Sequence, residues 1–512
     1  MTTQLLDSIK ECESVFIRVI RNRLGIVIHK HQTRELHKTI LEACRKFKCQ
    51  PEEYLQNLMV CTDDSPLIEH LVLGVTVGET YFFRDRSQME LLQNVLLPRL
   101  IKLKREQRNL SLRIWSAGCA TGEEIYTIAI MLAELLPDIK AWSLNLLATD
   151  INTASLKKAM TGCYTSWSMR AISSRLKQRY FSEINRKYTI SEEIRSIPEF
   201  MYLNLNDDYY PSILNGINAF DLILCRNVLI YFDSESTEHL MKKLSISLVD
   251  GGYLLLGASD PISLTGIHLD FHHKDGLLFS RPHSRPVMNE LINIENQVDI
   301  KKPVTPRREI VSQDKKILKK HPIQKLHVIP AKKISEKTIC QNDEDTINKL
   351  LAESRWQETL DTIDRYTENE KKLEFALIAR ATALANLGTL DEAVKSCEES
   401  LKINKMNKQT YLIYAMVLLE LNHFDKAENE LRKVIFLDRN FVIAHFQLGL
   451  LLFRKNQYEL GLKSLKNALV IATRNDPSSL VVGSVGLDYG TLSEILKKEI
   501  DIFTMESVNH AN

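Results

Sequence analysis

The sequence predicts three parts in series: an all-helical segment, a doubly wound α/β domain with a parallel sheet, and an array of helical hairpins. Apolar residues from about 5 to 72 recur at helical spacing without strand alternation. From Ser111, short β-rich runs alternate with helical ones, the pattern of a sheet covered on both faces. Beyond about residue 342 the chain repeats itself with a period of 34 residues.

The all-helical part spans 1–72. The α/β part, 73–282, is carried by LRIWSAG, then the helical TGEEIYTIAIMLAELL, then LNLLATD, a helix from Thr153, FDLILCRN and GGYLLLGAS. Between Arg179 and Tyr202 the alternation is short and irregular, which predicts a small antiparallel β insertion. Residues 283–341 lose periodicity and carry Pro286, Pro303, Pro306, Pro322 and Pro330 among many lysines. That is a basic, flexible linker, which makes the repeats behind it an independent tethering unit.

The repeats occupy 342–475. Ala381, Ala415 and Gly449 form one column, Ala393, Ala427 and Gly461 a second, and Trp356, Leu390, Phe424 and Tyr458 a third, each at 34-residue steps. A small residue is required where two helices cross closely and an aromatic fills the gap beside it. The period and columns resemble tetratricopeptide repeats, which stack into an α-helical solenoid with a concave surface for a protein partner. The tail, 476–512, contributes a capping helix at 489–503.

At 512 residues the chain exceeds the size of one core, in keeping with several domains. Its 67 Lys+Arg against 65 Asp+Glu leave a net charge of +2, which removes the electrostatic case for a nucleic-acid binder. Nine cysteines without CxxC pairs predict reduced thiols. With no basic-then-apolar leader and no run of 18 apolar residues, a cytoplasmic protein without membrane insertion is expected.

The chemistry-bearing signal is a strand running into the turn GCATGEE and a helix. Gly118 and Gly122 permit a tight turn and close backbone approach, and the helix after Thr121 presents free N–H groups. Asp150 ends the next strand, 28 residues beyond Gly122, where a carboxylate can accept hydrogen bonds from ribose hydroxyls. Arg226 and Asn227 interrupt an otherwise apolar strand at its carboxyl end, where open α/β sheets bind ligands.

Taken together, GVTVGETYFFRD, SAGCATGEEIYTIAI, ATDIN and CRNVLIYF resemble the signature segments of the chemotaxis receptor glutamate methyltransferase family, CheR, over about residues 10 to 282. The resemblance implies a Rossmann-like domain that uses S-adenosylmethionine, releases S-adenosylhomocysteine and needs no metal. It implies a cofactor pocket of Thr80, Arg84, Glu124, Asp150, Asn204, Leu205, Asn227 and Val228. It also implies a partner that is a chemoreceptor-like methyl-accepting protein, methylated on glutamate in chemotaxis or in surface and biofilm signalling. Two positions depart from the family pattern: Gly78, where many members have Asn, and Ala258, where His is common.

A glutamate carboxylate is already ionised near neutral pH, so the reaction needs alignment and desolvation rather than a strong base. Arg84 is expected to orient a carboxylate, and Tyr231 to hydrogen-bond the substrate. The family docks substrate through a basic helix; here Arg34, Lys38 and Arg45 share one helical face, broken at its rim by Glu42. The insertion lacks the glycines associated with gripping a receptor's C-terminal peptide, which leaves partner recruitment to the repeats. One alternative is a catalytically weak scaffold built on the repeats. A nucleic-acid amino methyltransferase is disfavoured because Arg-Asn-Val-Leu stands where such enzymes carry Asn/Asp-Pro-Pro-Tyr/Phe.

Overall fold

A computed structural model describes residues 2–61, 65–76, 78–264, 266–267, 269–273, 277–282, 341–364, 370–484 and 487–510. The linker assigned to 283–341 lies outside them except for its last residue. Four helices, α1 (Thr2–Leu24), α2 (Thr33–Phe47), α3 (Pro51–Val60) and α4 (Pro66–Val75), form the N-terminal domain. Proline opens α3 and α4, where its missing N–H costs nothing. Phe16, Ile20, Leu36, Ile40, Tyr54 and Leu58 fill the core between these helices. A fifth helix, α5 (Arg86–Leu91), passes through a π-turn at Leu92–Leu96 into α6 (Leu97–Glu106), next to Pro98, which cannot supply a helical N–H.

In chain order the α/β domain then runs β1 (Ser111–Ala117), α7 (Glu123–Leu135), β2 (Ser143–Asp150), α8 (Thr153–Thr161), β3 (Cys163–Thr165), α9 (Ser174–Tyr180), β4 (Phe181–Ile184), β5 (Lys187–Ile190), α10 (Glu192–Arg195) and β6 (Pro198–Tyr202). It continues with β7 (Phe220–Cys225), α11 (Ser234–Ser247), β8 (Leu248–Leu256), β9 (Asp270–His273) and β10 (Leu277–Ser280). The main sheet has the order β6-β2-β1-β7-β8-β10-β9. Its first five strands are parallel, and β10 and β9 add antiparallel pairs, so the sheet is mixed rather than purely parallel. From β1 the chain winds outward to β2 and later β6, then crosses back to β7 on the other side of β1, and this switch opens a crevice at the carboxyl ends of β1 and β7.

The insertion is differently composed from the sequence expectation. Pro198–Tyr202 belongs to the main sheet, parallel to β2 from Leu146↔Pro198 to Asp150↔Tyr202, and Cys163–Thr165 instead joins β5 and β4 in the small sheet. As an edge strand β6 buries only alternate residues, which gave it the look of an exposed hairpin strand.

The repeats are helix pairs: α12 (Gln341–Ala352) with α13 (Trp356–Ile363), α14 (Glu370–Asn386) with α15 (Leu390–Ile403), α16 (Lys408–Glu420) with α17 (Phe424–Leu437), and α18 (Val442–Arg454) with α19 (Tyr458–Thr473). Ala381, Ala393, Ala415 and Ala427 are fully buried. A Cβ on Gly449 would lie 2.5 Å from Leu465, and one on Gly461 would lie 2.8 Å from Phe453. The final helix, α20 (Tyr489–His510), caps the array by stacking Phe503 on Phe453 at 3.9 Å between ring centres.

The expectation of an independent repeat unit is corrected. The inner helices α14, α16 and α18 sit on the amino-terminal end of the sheet, and α20 lies along β6. The Asn386 side chain accepts the N–H of Ile213 at 2.9 Å, Gln447 donates to the Leu214 carbonyl at 2.7 Å, and Glu499 accepts the N–H of Tyr202 at 3.2 Å. Glu420 pairs with Arg113, both nearly fully buried, and Arg454 pairs with Glu199. Arg113 is a charge in an apolar strand; burial pulls its pKa down to about 9, against the opposing pull of Asp221. Such a cation needs a carboxylate, and a repeat helix supplies one.

Candidate functional site

The cleft at the carboxyl ends of β1, β2 and β7 is roofed by Leu24 and Ile26 of the N-terminal domain. Gly118, Ala120, Asp150, Leu205, Asn227 and Tyr231 are among the residues lining it, with Asn204 and Val228 beside them. Gly118 adopts φ +77°, and a Cβ there would lie 2.5 Å from Val228, so only glycine leaves this wall open.

Asp150 stands at the end of β2 and holds the turn across the sheet. One carboxylate oxygen accepts the N–H of Ala120 and the other that of Asn152, each at 2.8 Å. Burial raises its pKa, against the pull of the N–H groups of Asn152, Ala120 and Ile151. The Asn204 side chain accepts the N–H of Asn206 and donates to the Arg23 carbonyl, tying the Leu203–Leu205 wall to α1. The Tyr231 carbonyl accepts the N–H of Val27 at 2.7 Å, a second tie to the helical domain.

Four of the sequence-predicted residues surround the cleft without lining it. Gly122 caps α7 with φ +88°, against Ala159. Glu124 accepts the Ser116 hydroxyl at 2.7 Å and pairs with Arg226 at 2.9 Å. Thr80 and Arg84 belong to the loop before α5, pinned by Phe82, which is fully buried with its ring edge-to-face on Tyr164 and Phe181. The Arg84 guanidinium donates to the Glu79 carbonyl of the same loop. Arg34, Lys38 and Arg45 are exposed on α2; Lys38 lies 3.8 Å from Glu35, and among the described residues Arg34 and Arg45 form no ion pair.

Two residues that hold the site together escaped the sequence reading as positioning groups. Arg226 spans three segments, donating to Gln88, to Glu124 and, at 2.7 Å, to the Arg84 carbonyl. Its interruption of an apolar strand was the available signal. Asp260 accepts the N–H groups of Asn227 at 2.6 Å and Gly257 at 2.8 Å, and so fixes Asn227 in the left-handed conformation, φ +59°. Burial raises the Asp260 pKa, with those N–H groups opposing. An acid closing GGYLLLGASD is the counterpart of Asp150 closing LNLLATD.

A sheet with five parallel strands, a glycine turn, an acid at the end of the second strand and a crevice at the switch in strand order defines an α/β domain of the class that holds nucleoside cofactors. Residues 78–274 match the family described as CheR methyltransferase, SAM binding domain, and residues 409–441 match a tetratricopeptide repeat. A chemotaxis protein methyltransferase of Borreliella burgdorferi is 34% identical over 253 residues, covering 49% of this chain and 87% of that protein. One from Listeria innocua is 33% identical over 248 residues, covering 48% and 88%. Chemotaxis protein methyltransferase 1 of Pseudomonas aeruginosa is 34% identical over 238 residues, covering 44% and 84%. Among solved structures, the Arabidopsis OM64 TPR domain aligns with 26% of this chain and 98% of its own at 20% identity and a TM-score of 0.22. The chain belongs to the CheR methyltransferase family and carries tetratricopeptide repeats behind its catalytic domain.

Proposed function

We propose that the protein esterifies glutamate side chains of a chemoreceptor-like methyl-accepting protein. The observation that carries this reading is the convergence of Gly118, Asp150, Asn227 and Tyr231 on one cleft beneath the helical domain. S-adenosylmethionine, when bound, supplies a sulfonium methyl group, whose transfer to a glutamate oxygen breaks the carbon–sulfur bond and leaves S-adenosylhomocysteine. Asp150 faces the cleft with acceptor lone pairs for ribose hydroxyls, Gly118 admits close backbone approach, and Leu205 and Val228 give apolar walls. Asn204 and Asn227 would line the same pocket. Tyr231, which also lines the cleft, would hydrogen-bond the incoming side chain.

The residues do not need to act as a base, because the nucleophile is an ionised carboxylate. Their contribution is alignment and exclusion of water. Arg84 would turn from the Glu79 carbonyl to a carboxylate, and Glu124 acts through Arg226, which holds the Arg84 backbone. The exposed cations of α2 are a docking face for an acidic helical substrate, and the repeats recruit a further protein.

The test is transfer of labelled methyl to a receptor cytoplasmic fragment, followed by release of methanol in alkali, which is specific to an ester. Arg84→Ala should lower transfer far more than thermal stability. Label that resists alkali would refute glutamate as the acceptor, and loss of stability in step with activity would make Arg84 structural.

A further inference from the structure

The inner face of the repeats, where a solenoid ordinarily offers its concave surface, is occupied by the protein's own α/β domain through Asn386, Glu420 and Gln447. A partner of the repeats must therefore use another face. On the outer side, α17 and α19 flank a groove floored by Leu448 and Leu452 of α18. Phe436 stands on one wall and is 86% exposed; Leu460 and Val470, on the other, are 50% and 47% exposed. Large apolar side chains displayed together on an outer surface mark a contact site rather than packing.

The groove also has a sign. Among the described residues, Arg432, Arg439 and Lys463 line it and no carboxylate does. Arg432 is engaged by Glu428 one turn back, whereas among the described residues Arg439 and Lys463 form no ion pair. We infer that this outer groove is a docking site for an acidic amphipathic helix of a partner protein, which lays apolar side chains along Phe436, Leu460 and Val470 and its carboxylates against Arg439 and Lys463. An apolar face in a groove with a charged rim is the ordinary mode by which such helices are held. The inference concerns the repeats alone and is independent of the reaction in the cleft. It also gives α18 two loaded faces, since Leu448 and Leu452 floor the groove while Gln447 and Arg454 hold the α/β domain.

The experiment uses the full chain and three fluorescent model helices: one with a Leu/Phe face and a Glu face, one with the same apolar face and Lys for Glu, and one with the Glu face but alanine in place of the apolar residues. Anisotropy should show saturable binding of the first, and binding weaker by at least about tenfold for the other two. Phe436→Ser and the double variant Arg439→Glu/Lys463→Glu should each lose the first peptide by a similar factor, and the double variant should gain the lysine peptide. Unchanged S-adenosylhomocysteine binding in both variants shows that the fold and the cleft survive. Equal binding of the glutamate and lysine peptides, or indifference to both variants, overturns the proposal. Self-association of the wild-type chain that Phe436→Ser abolishes would also overturn it, by assigning the groove to a second copy.

Discussion

At the scale of single residues, the cleft is built from a carboxylate and glycines whose neighbours limit what can replace them. Asp150 ties Ala120 to Asn152 through its two oxygens, so alanine would release two part-buried N–H groups, and Asp150→Asn is the cleaner probe. It keeps one acceptor and removes the charge. S-adenosylhomocysteine affinity should fall by at least about tenfold in calorimetry, the loss of one or two charge-assisted hydrogen bonds. Because burial raises this carboxyl, wild-type affinity should begin to drop at a pH above the ordinary aspartate range as the charge is lost, and the variant should lack that step. Gly78 and Gly118 answer differently to a side chain. Among the described residues, a Cβ on Gly78 meets Ser155 Oγ at 3.9 Å, whereas one on Gly118 strikes Val228. Gly78→Asn, the residue common in the family, should leave the melting temperature unchanged and tighten cofactor binding. Gly118→Ala should abolish binding in the same assay.

At the scale of elements, the wall Leu203–Leu205 is held from behind by Lys243 of α11. Its ammonium donates to the carbonyls of Leu205 at 2.9 Å and Asp207 at 2.7 Å, inside a setting that pulls its pKa down to about 8 through burial, with Asp208 and Asp207 opposing. Between about pH 8 and the unfolded value near 10.5 the native chain has released this proton while the unfolded chain keeps it, so this group makes stability rise with pH in that window. Lys243→Met should flatten the rise in urea titrations and weaken cofactor binding by loosening the loop; a variant with the wild-type pH profile would show that Lys243 titrates normally. The sequence did not reveal this anchor, because a lysine on an amphipathic helix reads as solvated. What was legible follows the same logic in reverse. Gly118, Asp150 and Asn227 stand at strand ends, where pattern and position coincide. Arg226 and Asp260 work through contacts more than 30 residues away, so the local pattern could mark the two residues but not the partners that they hold. The edge strand β6 was misassigned for a related reason: its pairing with β2 is distant in sequence, while its alternation is local.

For the whole molecule, the decisive contact is again one that sequence periodicity cannot supply. The 34-residue columns give the hairpins and their stacking but are silent on what the inner helices face, and the linker composition suggested that they face solvent. Instead, the apolar residues of the repeats join those of the sheet in one continuous core, and Arg113 of β1 finds its carboxylate on α16. Removing one partner of a buried pair costs about 3–5 kcal/mol, whereas replacing both with apolar groups of similar volume is often neutral. Glu420→Leu should therefore lower the melting temperature of the α/β domain and the repeats together, and Arg113→Met combined with Glu420→Leu should recover most of the loss. The cleft should respond as well. Glu499 of α20 accepts the N–H of Tyr202, Lys498 lies over the same ring at 3.5 Å, and Leu203–Leu205 follow directly in the cleft wall. A chain ending near Pro282 should then bind S-adenosylhomocysteine more weakly and melt lower, and its methyl transfer should be deficient even at saturating receptor fragment. A tether alone changes effective concentration and leaves the maximal rate intact. A truncated chain with full cofactor affinity and full maximal rate would show that the repeats serve only as a tether, and that the Arg113–Glu420 contact is dispensable to the enzyme.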